Sequence, residues 1–228
     1  MVPFVGLNFV IGAFRSTDGG GTWSTPLTVT QIEYSRPAGL RAPPFPSAET
    51  DRAGNVYIVW ADCRFRAACS SSDLVLSKSA DGVKWTAPTR IPIDPVDSGA
   101  GHFIPGLAVD QHTAGAHARL ALTYYSYPDA GCTPATCRLT VSFISSADGG
   151  ASWSEPRELA GPMRLNWLPD TAGVIERGRM VGDYISTSFM HKRAFPFFAV
   201  ANPSSGGTFD EAIATVPGGI HVSGRPGP

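Results

Sequence analysis

The sequence predicts an all-β fold built from a repeated four-stranded antiparallel unit, and three observations carry that expectation. One short phrase recurs three times, with its aspartates 63 and then 67 residues apart. A period of that size means one supersecondary unit used repeatedly. Each copy sits between alternating apolar runs, the pattern of half-buried strands. Of the 228 residues, 43% are apolar and only 16% charged, with 25 Gly and 20 Pro, which favours strands and turns over helices.

The copies are Ser16-Thr17-Asp18-Gly19-Gly20-Gly21-Thr22-Trp23, Ser79-Ala80-Asp81-Gly82-Val83-Lys84-Trp85 and Ser146-Ala147-Asp148-Gly149-Gly150-Ala151-Ser152-Trp153, the middle one being a residue shorter. An Asp/Gly cluster between two strands reads as a hairpin turn, because the carboxylate accepts the turn's own N–H groups and Gly supplies positive φ. Trp23, Trp85 and Trp153 are expected to fold back over their hairpins. Asp18, Asp81 and Asp148 are therefore structural. The phrase resembles the Asp box, S-x-D-x-G-x-[TS]-W, of the sialidase-like (BNR-repeat) β-propellers.

The units follow in order. Residues 1–30 are expected to supply the outer half of a blade. Between the turns, Pro46–Asp51 aligns with Pro105–Asp110, and each is followed by a strong strand, Val56–Trp60 and Arg119–Tyr125. A cysteine-bearing loop and the strand entering the next turn complete four strands per unit, the propeller blade. Whole blades are expected over 44–94 and 103–160. An inner half-blade is expected over 180–215, starting with Gly182-Asp183-Tyr184-Ile185-Ser186, and a flexible tail over 216–228. The chain thus holds about three and a half blades, against six in the propellers it resembles. A fragment of a longer protein, two chains completing one ring as a homodimer, or a joining of the two half-blades would explain the difference. A natural truncation rescued by self-association, with the half-blades 1–30 and 180–215 as contact edges, is the reading preferred.

Cys63/Cys69 and Cys132/Cys137 form two local pairs without the CxxC spacing or nearby His of a zinc site, so two loop-closing disulfides are expected. Disulfides imply a secreted or periplasmic origin, although residues 1–14 lack a signal peptide's basic start. A net charge of −1 with scattered Lys and Arg gives no nucleic-acid footprint, and no apolar run reaches membrane-spanning length. The expected partner is a small-molecule or glycan substrate.

Blade topology sorts loops by face. The 1→2 turns and the repeated 3→4 turns share one rim. The 2→3 loops (Ala61–Ser72, Ser126–Thr136) and the 4→1 loops (Gln31–Phe45, Asp94–Phe103, Gly161–Val181) share the other, which borders the axis. On that rim His102, Asp183 and Glu49 are expected to converge from innermost strands, with Asp62 and Tyr184 as further catalytic candidates. Arg41, Arg64, Arg179, Tyr124 and Tyr125 are the candidate substrate binders. Two carboxylates with Tyr and Arg make a glycosidase or carboxylate-binding set. His102, Asp183 and Glu49 could equally hold a divalent metal ion and activate water. Plainer roles stand beside these: an Asp62–Arg64 pair within one loop, a turn cap for Asp183, a loop role for His102, core packing for one of the tyrosines, and a solvated position for His112.

The family resemblance implies a six-bladed propeller with an arginine triad, a Tyr nucleophile assisted by Glu, and an Asp acid/base. Arg90-Ile91-Pro92 lies after the second turn, in an outer strand, and is not taken for the first arginine of that triad. No Tyr/Glu pair matches. The leading expectation is a hydrolase with an axial site opposite the Asp boxes, acting on glycosides or, through a metal-activated water, on esters or phosphoesters. The alternative is a non-catalytic glycan- or protein-binding propeller.

Overall fold

The computed structural model describes residues 1–171 and 177–223. It contains four antiparallel sheets in chain order. The first pairs β1 (Val2–Gly6), β2 (Val10–Phe14) and β3 (Leu27–Gln31). The second is β4 (Ser47–Thr50), β5 (Val56–Asp62), β6 (Asp73–Ser79) and β7 (Thr89–Arg90). The third is β8 (Gly101–Val109), β9 (Leu120–Tyr127), β10 (Arg138–Ser146) and β11 (Arg157–Arg164). The fourth joins β12 (Ser186–Met190), β13 (Arg193–Ser205) and β14 (Thr208–Thr215), with β15 (Ile220–His221) also on β13. The array is an open β-propeller.

Strand alternation explains why the sheets stack. Tyr57, Val59 and Ala61 on one face of β5 join Leu107, Leu120 and Leu122 of the third sheet in the main core. Val56, Ile58 and Trp60 on its other face join Ile11 of the first sheet in a second cluster. Ala121 and Phe143 meet Ala194 and Ile220 of the fourth sheet. A sheet between two neighbours is therefore apolar on both faces, and every residue of β8 and β9 is buried. Polar ties register the inner strands. Leu107 N donates to Ser47 Oγ at 2.9 Å, and Thr187 Oγ1 donates to the Gly106 carbonyl at 2.8 Å.

Three expectations change. Residues 1–30 form three strands rather than two, because Val2–Gly6 pairs with β2 despite Pro3. Pro3 is tolerated since β1 is an edge strand and its missing N–H breaks no second ladder. The fourth sheet begins at Ser186 rather than Gly182 and carries a third strand, β14. The Gly182–Ile185 stretch stays outside because Gly182 turns at φ +128° and Asp183 is drawn into an ion pair with Arg41. Within the expected tail, Ile220 and His221 pair with β13, while 224–228, like 172–176 of the Gly161–Val181 loop, lie outside the described residues.

Candidate functional site

The two rims separate as blade topology requires. The repeated turns at Lys84 and Asp148 border one cleft with Asn55 and Gly115 of the 1→2 turns. Loops carrying Ser70, Arg36, Gly101 and Ala130 border another cavity together at the opposite rim. In the turns, Asp18 Oδ1 accepts Thr22 N–H at 2.9 Å, Asp148 Oδ1 accepts Ser152 N–H at 2.8 Å, and Asp81 Oδ1 accepts Val83 and Lys84 N–H, each at 2.8 Å. These bonds hold the three carboxylates below their usual range. The tryptophans diverge: Trp153 is buried in the main core, Trp85 is half-buried, and Trp23 is 48% exposed because the first sheet meets a neighbour on one face only.

On the loop rim, both disulfides are formed, Cys63–Cys69 and Cys132–Cys137. The first closes a knuckle whose centre is Arg66, with Arg66 N–H donating to the Cys63 carbonyl at 2.9 Å and Cys69 N–H to the Arg66 carbonyl at 3.1 Å. The Arg66 guanidinium points inward. Its Nε and Nη2 meet Asp73 at 2.9 and 2.6 Å, Nη2 also meets Asp94 at 2.9 Å, and Nη1 donates to the Val96 carbonyl at 2.7 Å. Arg90 pairs with Asp94, and its Nε lies 2.9 Å from Asp73 Oδ2. That last contact is an ion pair by distance only, since the Nε–H has no aligned acceptor.

His102 stands beside this network. It is buried, its ring meets Tyr124 edge-on with centroids 5.7 Å apart, and its Nδ1 lies 3.9 Å from Asp73 Oδ1 without a hydrogen-bond partner. Burial pulls its pKa down to about 4, so the imidazole is neutral near pH 7. Asp73, Asp94 and His102 offer ligand atoms within 4.8 Å of one another, the one such group among the described residues. Two guanidinium groups already neutralise the two carboxylates, so a dication there would sit buried without counter-charge. The residues do not fit a metal.

The expected convergence of His102, Asp183 and Glu49 does not form. His102 opens β8, whereas Glu49 borders a cleft with Asp110 and His112 beyond the strand's other end. A strand rising about 3.3 Å per residue carries those positions to opposite rims. Asp62 is fully buried and saturated, accepting Arg64 Nε at 2.8 Å, Arg64 Nη2 at 2.7 Å and Trp60 Nε1 at 3.0 Å. The Asp62–Arg64 set is thus an internal clasp. Tyr124 and Tyr125 are both buried, and Tyr125 donates to the Ala199 carbonyl at 2.7 Å. Both are packing residues here.

Arg41, Arg179, Asp183 and Tyr184 do assemble. The strap between β3 and β4 crosses the third sheet, where Tyr127 donates to the Ala38 carbonyl at 3.1 Å. It then meets the segment before β12. Arg179 N–H donates to the Gly39 carbonyl and Arg41 N–H to the Arg179 carbonyl, each at 2.8 Å. Gly178 permits this approach: a Cβ there would lie 2.8 Å from Arg41 N, and its φ is +151°. Arg41 reaches Asp183, and Arg179 Nη1 donates to the Leu168 carbonyl at 2.8 Å. Tyr184 is 66% exposed and stacks on Phe45, with centroids 5.4 Å apart and planes 14° from parallel. Met180–Gly182 border a cleft of about 340 Å³ that also includes Glu211 of β14. Desolvation raises the Glu211 carboxyl. Nothing in the sequence marked Glu211, since it is one of two adjacent acids, with Asp210, in a strand without a motif.

No protein-family model matches the chain, and no curated protein matches it. Among solved structures the chain is similar to an α-L-arabinofuranosidase of Fusarium graminearum in complex with an iminosugar inhibitor, with 14% identity over 94% of this chain and 70% of that one, at a TM-score of 0.51. It is also similar to a GH93 α-L-arabinofuranosidase of Fusarium graminearum in complex with arabinobiose, with 13% identity over 98% of this chain and 60% of that one, at 0.49. A PL25 ulvan lyase follows, with 14% identity over 93% of this chain and 51% of that one, at 0.45. At these identities the likeness is one of fold.

Proposed function

We propose that the loop rim is a glycan-directed site of the hydrolase class, and that the chain is kin to the sialidase-like propellers its repeated phrase resembles. The observation that carries the reading is the exposed Tyr184 ring, stacked on Phe45 beside the Arg41–Asp183 pair. An aromatic plate accepts the apolar face of a sugar ring, while a neighbouring ion pair offers donors and acceptors to its hydroxyls. Asp183 is the charged partner of the developing sugar cation, and Glu211, its carboxyl raised, is the proton donor. The likeness to solved glycosidases supplies only the architecture, but it makes aryl α-L-arabinofuranosides the first substrates to try.

Hydrolysis of such aryl glycosides is expected to fall at least tenfold in Asp183→Asn and Glu211→Gln, and Tyr184→Ala is expected to raise KM more than it lowers kcat. Unchanged turnover in both carboxylate variants would remove the catalytic assignment. One observation favours a second reading: Arg41 already spends the Asp183 charge, as in a site that binds without cleaving. Oligosaccharide binding lost in Tyr184→Ala, with no turnover of any glycoside, would select it.

Two disulfides fit an oxidising compartment, and hence secretion. Self-association is part of the same reading. The first and fourth sheets each pack against one neighbouring sheet only, so two copies stacking these sheets would give each a second neighbour. Light scattering should then give a dimer, and a monomer at micromolar concentration would refute it.

A further inference from the structure

The repeated turn supplies an internal control, because one phrase is built three times in one chain. In the first and third copies the aspartate's second oxygen is capped by a hydroxyl: Thr22 Oγ1 donates to Asp18 Oδ2 and Ser152 Oγ to Asp148 Oδ2, each at 2.6 Å. The shortened middle copy has Lys84 in place of that hydroxyl residue. The Lys84 side chain makes no hydrogen bond among the described residues, and its charge acts on Asp81 only through space. The copy that departs from the structural pattern borders a cleft of about 600 Å³ between the second and third sheets.

One wall of this cleft is Tyr57, Lys78 and Trp85, and the other includes Ala116 and Ala151, so most of the lining is apolar. The Trp85 indole N–H is buried and has no acceptor among the described residues, so the ring enters the cleft wall as an apolar plate and its N–H serves as a reporter. The acids around the cleft are tied to their own turns. Asp148 is held by Ser146 and Ser152, and Asp51 takes Tyr57 O–H at 3.1 Å and Gly115 N–H at 2.8 Å. Two lysines against these acids leave no net positive field to select an anion. What remains is a roomy cleft with an aromatic wall and a free ammonium, a combination suited to a neutral ligand with one apolar face and several acceptor oxygens.

We propose that this cleft is a binding subsite for a neutral saccharide, on the rim opposite the Tyr184 site and independent of it. A chain with a cutting or binding face on one rim would hold a second stretch of polysaccharide on the other. The test uses nitrogen-15-labelled protein, whose Trp85 indole signal is assigned with Trp85→Phe and followed during addition of cellohexaose, xylohexaose and maltohexaose separately. At least one hexasaccharide is expected to shift that signal saturably. Lys84→Ala, an exposed change that leaves the turn's backbone bonds in place, should weaken the binding at least fivefold. Ala151→Trp should abolish it by filling the cleft, and Tyr184→Ala should leave it unchanged. If none of the three sugars moves the Trp85 signal, or the shift survives Ala151→Trp, the subsite does not exist. Loss of the shift in Tyr184→Ala would assign the binding to the axial rim instead and overturn the proposal.

Discussion

Replacing Arg66 by methionine should lower the unfolding free energy by about 3–5 kcal/mol, the cost of leaving two buried carboxylates with one guanidinium, that of Arg90, between them. The size follows from the surroundings. Arg66 and Asp73 have side chains 2% and 1% exposed, so neither charge is screened by water once the other is gone. Arg66 also donates to the Val96 carbonyl and bridges Asp73 to Asp94, so its loss deprives acceptors on β6 and on the loop after β7 at once. Methionine fills similar volume, which keeps the cavity contribution small. The double variant Arg66→Met/Asp73→Asn restores charge balance, with Arg90 left to Asp94, and should recover a good part of the loss. Urea unfolding followed by tryptophan fluorescence reads both values. A loss under about 1 kcal/mol for the single variant would mean that water reaches the network and the pair behaves like a surface one.

That network also marks where sequence reading stops. The repeated turns, the alternation in β5 and β9 and the two cysteine pairs were legible because each is a local pattern whose partners lie within a few residues. Arg64 was legible in the same way, since Asp62 is two positions off. Arg66, Asp73, Arg90, Asp94 and His102 are spread over several loops and strands, and only a closed knuckle at Cys63–Cys69 turns Arg66 inward. Asp73 and Asp94 carried no motif at all. The expected meeting of Glu49 with His102 failed because an innermost strand carries residues to both rims, and the sequence does not say at which end of the strand each one stands. The Arg41–Asp183 pair was half legible: both residues were singled out, but the strap that brings them together depends on Gly178 and on Arg179 pairing with Gly39.

His102 should make the protein sensitive to mild acid. Its pKa is about 4 in the folded chain against an ordinary value of 6.5, because burial disfavours the imidazolium more than Asp94 and Asp73 favour it, while Arg66 and Arg90 oppose it. Between those two values the unfolded chain binds a proton that the folded chain does not. Stability from this group is therefore complete above pH 6.5 and is lost as pH falls towards 4, by up to about 3 kcal/mol at roughly 1.4 kcal/mol per unit. Glu49 and Glu211, both raised by desolvation, act in the opposite sense in the lower part of that window, so the net slope alone does not isolate the histidine. His102→Phe does: it keeps a ring against Tyr124, removes an unpartnered buried nitrogen and cannot titrate. Unfolding free energies measured from pH 7 to pH 4 should fall more steeply in the parent protein than in this variant, with the curves separating by about 3 kcal/mol. Parallel curves would mean that the imidazole titrates near its ordinary value, and hence that water or a rearranged carboxylate solvates it in the folded chain.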